Sequence, residues 1–139
     1  MIVVDTGVLV PFFVPSDLTA EVQKVMRKDS DWIAPRLWRS ELRNVLATLM
    51  RVKKIPLETS VQVMTEAENL MREREFEPSS DAVLSLASPS GATAYDCEFV
   101  ALAQLFDIPL LTRDRRLHGL PGDGTGRRNL AGELIPRDT

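Results

Sequence analysis

The sequence predicts an α/β domain built on a parallel β-sheet flanked by helices. Three observations lead there. The short apolar runs Ile2-Val3-Val4, Trp32-Ile33-Ala34 and Ile108-Pro109-Leu110-Leu111 do not alternate with polar residues, as expected of strands covered on both faces. Between them lie longer stretches with apolar residues at helical spacing. Strand and helix patterns also take turns along the chain, which favours parallel strands joined by helical crossovers.

At 139 residues the chain has the length of one ordinary domain, and we expect a single unit over 1–139. Hydrophobic residues make up 44% and charged residues 27%, enough apolar surface for one core. No apolar run approaches the ~20 residues of a membrane span. Met1-Ile2-Val3-Val4-Asp5 lacks a basic leader, so no secretory signal is expected. The lone Cys97 excludes an intrachain disulfide and reads as a small buried apolar residue, which fits a reducing, cytoplasmic setting. A net charge of −3 alone argues weakly against a nucleic-acid binder. Yet Arg113, Arg115, Arg116, Arg127 and Arg128 gather late in the chain beside Asp114, and a net count hides such a patch.

Taken in order, Ile2–Val4 is a central strand ended by Asp5-Thr6-Gly7. Val8 to Val14 forms a short helix interrupted by Pro11. Ser16 stands as N-cap of the next helix, whose apolar positions are Leu18, Val22, Val25 and Met26. Asp29-Ser30-Asp31 breaks it, and Trp32–Ala34 is a second strand closed by Pro35. A helix from Leu37 to about Lys53 carries Leu42, Val45, Leu46 and Leu49 on one face, with Trp38 beside them. After Ile55-Pro56 a second long helix runs from Leu57 to about Arg74 with the stripe Val61, Met64, Ala67 and Met71, giving an antiparallel pair. Phe76-Glu77 suggests a short third strand. Ser79-Ser80-Asp81 caps a helix over Ala82 to Ala87, and Ser88 to Gly91 is a loop. The next helix begins near Thr93, with Tyr95, Phe99, Leu102 and Phe106 as its buried stripe. Ile108–Leu111 is the following strand. His118 reads as a surface residue, 119–132 as a flexible loop rich in Gly and Arg, and Leu134-Ile135 as a short edge strand.

Four carboxylates fall in suggestive places, and each has a plainer reading. Asp5 follows a parallel strand, where ligands bind in open sheets, but it also suits an Asx-turn. Glu41 borders the core face of its helix, where an unpaired charge is costly; a first-turn Glu is equally favoured by the helix dipole. Thr93-Ala94-Tyr95-Asp96 matches a capping box. Asp114 sits past a strand end like Asp5, or caps the turn at Arg115-Arg116-Leu117. No Ser-His-Asp set is available, since the chain has one His, and no Gly-rich phosphate loop follows a strand. What remains is carboxylate chemistry, whose oxygen ligands suit Mg²⁺ or Mn²⁺.

Val4-Asp5-Thr6, Glu41, the segment Ala94-Tyr95-Asp96-Cys97-Glu98-Phe99-Val100-Ala101-Leu102-Ala103 and Leu111-Thr112-Arg113-Asp114-Arg115-Arg116-Leu117 together resemble PIN domains. In size and order the compact chain is similar to VapC-type ribonuclease toxins of toxin–antitoxin pairs. The resemblance implies a three-layer fold, with Asp5, Glu41, Asp96 and Asp114 as the acidic metal site. It implies Thr6 and Thr112 as supporting hydroxyls, Mg²⁺ or Mn²⁺ as cofactor, RNA as substrate, a VapB-type antitoxin partner and a homodimer. Some relatives carry a further acid shortly after the last aspartate; Arg115 and Arg116 stand there in this chain. Arg113, Arg115 and Arg116 are expected to hold RNA phosphates. Two other readings stand beside the toxin: a housekeeping RNA-processing nuclease of the same type, and a PIN-like interaction module without activity.

Overall fold

The computed structural model describes residues 1–114, 117, 127 and 128. It contains the strands β1 (Ile2–Val4), β2 (Trp32–Pro35), β3 (Glu75–Phe76), β4 (Leu110–Leu111) and β5 (Arg127–Arg128), and the helices α1 (Thr6–Phe13), α2 (Thr19–Lys28), α3 (Trp38–Val52), α4 (Leu57–Leu70), α5 (Ser80–Ser90) and α6 (Ala94–Phe106). The strands pair in the order β3-β2-β1-β4-β5, all parallel.

The strands β1, β2 and β4 bury both faces, which explains the missing alternation. Ile2, Val4, Trp32, Ala34 and Leu111 face a layer formed by α1 to α4, where Val8, Leu9, Val22, Trp38, Leu42 and Met71 pack. Val3, Ile33 and Leu110 face the opposite layer, with Val83 and Leu86 of α5 and Phe99, Val100 and Leu102 of α6. The fold is therefore the three-layer α/β arrangement expected. At the β2–β3 edge Glu75, whose side chain is almost buried, accepts hydrogen bonds from the Trp38 indole (3.2 Å) and from Arg39 Nε (2.8 Å), and so ties the start of α3 to the sheet.

Several expectations are corrected locally. Helix α1 starts at Thr6, because Asp5 serves as its cap. Helix α2 starts at Thr19, and Ser16 turns the chain ahead of it by accepting from the Leu18 amide. Val61 is exposed, and Ser60 and Ala67 mark the buried face of α4. Helix α5 continues through Pro89 to Ser90 and ends at Gly91, whose φ of 70° supplies the left-handed cap. Tyr95 and Phe106 lie outside the buried stripe of α6; the core-facing set is Cys97, Phe99, Val100, Ala101, Leu102 and Ala103. Within the stretch expected as a loop, Arg127–Arg128 pairs with Leu110–Leu111 as a strand. The expectations for Arg115, Arg116, His118, the rest of 119–132 and Leu134-Ile135 lie outside the described residues. Among the described residues no helix is long and apolar enough to cross a membrane.

Candidate active site

The strand order changes direction between β1 and β4, since the chain builds outward from β1 to β2 and β3 and then returns to add β4 on the other side. In open parallel sheets the crevice beyond the strand carboxyl ends at such a point is where ligands bind. Asp5 lies there, one residue beyond the register pair Val4–Leu111, and Thr112 lies beside it. The Asp5 amide donates to the Leu111 carbonyl at 3.2 Å, which holds it on the sheet.

The Asp5 side chain is buried and has two partners. Its Oδ1 accepts from the Val8 amide at 3.1 Å, capping α1, and its Oδ2 accepts from the Thr112 hydroxyl. The turn-forming reading of Asp5 is thus realised: its carboxylate caps α1. Gly7 adjoins this carboxylate: a Cβ there would come within 3.2 Å of Asp5 Oδ1. Thr112 Oγ1 also accepts from the Asp114 amide at 2.9 Å, so one hydroxyl bonds the Asp5 carboxylate and the Asp114 backbone. Glu41, in the first turn of α3, accepts from the Thr6 hydroxyl at 2.7 Å. Asp96 sits in the first turn of α6, where the Thr93 side chain caps the helix by accepting from the Asp96 amide at 3.1 Å. That bond uses the Asp96 backbone amide, and the residue also lines the cleft that holds Asp5.

All four acids line one cleft of about 420 Å³ together with Thr6, Gly7, Phe99, Arg113 and Leu117. They come from four separate places: the ends of β1 and β4 and the first turns of α3 and α6. The electrostatics record their proximity. Burial raises the Asp5 pKa from 3.8 to about 6, against the lowering effect of its Thr112 and Val8 hydrogen bonds; the charges of Asp114 and Glu41 push it up further. Burial likewise raises that of Glu41, with the Asp96 charge adding to it and the Thr6 hydrogen bond opposing it. Desolvation is the larger cause in both, and like-charge repulsion is secondary.

Four hard oxygen donors at the floor of one cleft fit a divalent cation such as Mg²⁺ or Mn²⁺, and the set has no Cys or His that would favour a softer ion. Among the described residues no three such side chains already form a closed ligand cluster. The residues that would hold such an ion are Asp5, Glu41, Asp96 and Asp114, and Mg²⁺ in general keeps part of its water shell.

The family described as PIN domain matches residues 2–122. The chain belongs to the PIN domain family. Members of that family are in general metal-dependent nucleases, which agrees with the all-carboxylate cleft. The fold is similar to that in the crystal structure of PAE2754 from Pyrobaculum aerophilum, with a TM-score of 0.66 at 21% identity over 84% of this chain and 82% of that one. No curated protein sequence matches the chain at a significant level. The PIN cleft has three members that the sequence alone did not mark as site residues. They are Gly7, whose small size leaves room beside Asp5, Phe99, which walls the cleft from the core side of α6, and Leu117, which adds apolar surface.

Proposed function

We propose that this PIN domain is a metal-dependent endoribonuclease that acts as the toxin of a toxin–antitoxin pair. The observation that carries the nuclease reading is the meeting of Asp5, Glu41, Asp96 and Asp114 in one cleft at the switch point of the sheet. The toxin role rests on the likeness of this compact chain to VapC-type toxins, with a VapB-type antitoxin as partner and the cytoplasm as setting. A cation of Mg²⁺ or Mn²⁺ type held there would supply Lewis acidity, polarising the scissile phosphate and making water a better nucleophile at neutral pH.

The chain's own residues divide the remaining work. Asp5 and Asp114 present oxygens from adjacent strand ends, and Thr112 holds the Asp5 carboxylate and the Asp114 backbone. Thr6 fixes Glu41 on the opposite wall. Phe99 and Leu117 bound the cleft with apolar surface, which limits bulk water and strengthens the electrostatics inside. Arg113 is exposed on the rim and binds a flanking phosphate. Arg115 and Arg116 are proposed to extend that contact. The exposed apolar residues Val52, Leu57 and Val61, at the turn between α3 and α4, support a homodimer or antitoxin contact. Light scattering that finds a monomer at micromolar concentration removes the homodimer.

Purified protein, freed of any partner, is expected to cleave single-stranded or hairpin RNA with Mg²⁺ or Mn²⁺ and to stop in excess chelator. Undiminished cleavage in chelator, by a preparation free of contaminating ribonuclease, refutes the proposal. A smaller effect is expected at the rim. Arg113→Ala should reduce the magnitude of the slope of log K against log salt for single-stranded RNA by about 0.7, since one fewer counterion is released. An unchanged slope would remove Arg113 from the phosphate path.

A further inference from the structure

A groove of about 990 Å³ runs between α1 and α3 beside the cleft, and the cleavage chemistry leaves it unused. Its walls are mainly apolar, with Val10 and Val14 on one side and Val45 and Leu49 on the other. Thr6, Gly7, Glu41 and Arg113 line both groove and cleft, so the two are continuous. Tyr95 stands at the junction. It is the chain's single Tyr, it is 64% exposed, and the residue after it, Asp96, lines the cleft.

We propose that this groove seats a nucleobase next to the scissile phosphate and that Tyr95 is the stacking platform for that base. The inference rests on the nuclease reading of the cleft and adds a substrate-positioning element to it. An RNA strand entering an acidic cleft brings its own negative phosphates, which an apolar groove cannot hold without a large desolvation penalty. The uncharged, flat part of a nucleotide is the base, and its faces match an apolar wall and an aromatic ring. Arg113, shared by groove and cleft, stands where the phosphate between the two would pass. Ser40 and Asn44 of α3 also line the groove and offer a hydroxyl and an amide to the polar edge of the base. The exposure of Tyr95 is the deciding feature. A large aromatic placed in the first turn of α6, directed away from the core that the rest of the helix serves, has its face available for stacking.

The test separates this subsite from the chemistry by measuring binding and cleavage independently. A fluorescein-labelled single-stranded RNA of twelve nucleotides and mixed sequence is titrated in chelator with the unmodified protein, Tyr95→Ala and Tyr95→Phe. Stacking predicts that Tyr95→Ala weakens binding about tenfold and that Tyr95→Phe restores it, because Phe keeps the π-face and loses only the hydroxyl. Where cleavage is active, Tyr95→Ala should raise KM with kcat nearly unchanged. Melting temperatures of the three proteins should coincide, since the side chain is exposed. Unchanged RNA binding by Tyr95→Ala overturns the proposal, and that is also the outcome if the groove serves a protein partner. Equal weakening by Ala and Phe overturns it too, because stacking then is not the cause. RNA binding that depends on the ring, in a protein that cleaves nothing, would leave the subsite standing and refute the nuclease reading alone.

Discussion

Asp5→Asn should abolish cleavage and, in chelator at pH 7.5, leave the protein about 3 kcal/mol more stable than the unmodified chain. The Asp5 carboxyl titrates near 6 when folded, against 3.8 for the ordinary group. The folded state therefore holds its proton over a pH range in which the unfolded chain has lost it. Stability must fall as pH rises from about 4 to about 6 and remain reduced above that window; the displacement corresponds to about 3 kcal/mol. Asn carries no charge, fills nearly the same volume, and its side-chain oxygen can still accept from the Val8 amide. Its amide nitrogen can donate to the Thr112 hydroxyl in place of the present bond. Urea unfolding between pH 4 and pH 7.5, with chelator throughout, reads both predictions. Equal stability of the two proteins at pH 7.5, or a stability that rises through the window in the unmodified chain, would show that burial of Asp5 is not the cost it is taken to be.

Asp96→Asn should reduce cleavage by about 10²-fold or more, the range for removing a single electrostatic group from a reaction site, while changing metal-free stability little. Two small effects oppose each other. The variant loses a favourable first-turn charge at a helix N-terminus. It also relieves the repulsion that helps raise the Glu41 pKa. The cap itself persists, because Thr93 accepts from the backbone amide of residue 96. The larger change is in the response to cation. At one hundred times its dissociation constant, Mg²⁺ should stabilise the unmodified protein by about 2.7 kcal/mol, a rise in Tm of roughly 8 °C for a chain of this size. The variant should gain much less. If Asp96→Asn is destabilised, remains active and gains as much from Mg²⁺, the Asp96 carboxylate is only part of a helix cap.

Much of the fold could be read in advance because the strands are buried on both faces. Ile2–Val4 and Leu110–Leu111 have no polar alternation since α1 to α4 cover one side and α5 and α6 the other. Strand ends then made Asp5 and Asp114 visible as candidates. Glu41 and Asp96 were harder: each is a good first-turn residue of its helix for reasons unrelated to any ligand. Only the packing of α3 and α6 against β1 and β4 shows that the two share a cleft with the strand-end acids. Tyr95 was misplaced because helical periodicity assigns the first turn of α6 to the same face as the rest. In the structure the helix reaches the core only from Cys97 onward. Ser88 to Gly91 was expected as a loop, but α5 runs through Pro89 to Ser90, where the Ser90 hydroxyl donates to the Leu86 carbonyl and Gly91 ends the helix. Repulsion from Asp114 and Glu41 is a minor cause of the raised Asp5 pKa. Burial, which a linear sequence does not display, is the larger one.

Calorimetric titration of Mn²⁺ into chelator-stripped protein tests most directly whether these four carboxylates form a cation site. Saturable binding is expected, weakened at least about tenfold by each of Asp5→Asn, Glu41→Gln, Asp96→Asn and Asp114→Asn, and less by removal of the Thr112 hydroxyl that bonds Asp5. Binding that none of the four substitutions alters, or no saturable binding at all, would contradict the assignment of this cleft as a metal centre.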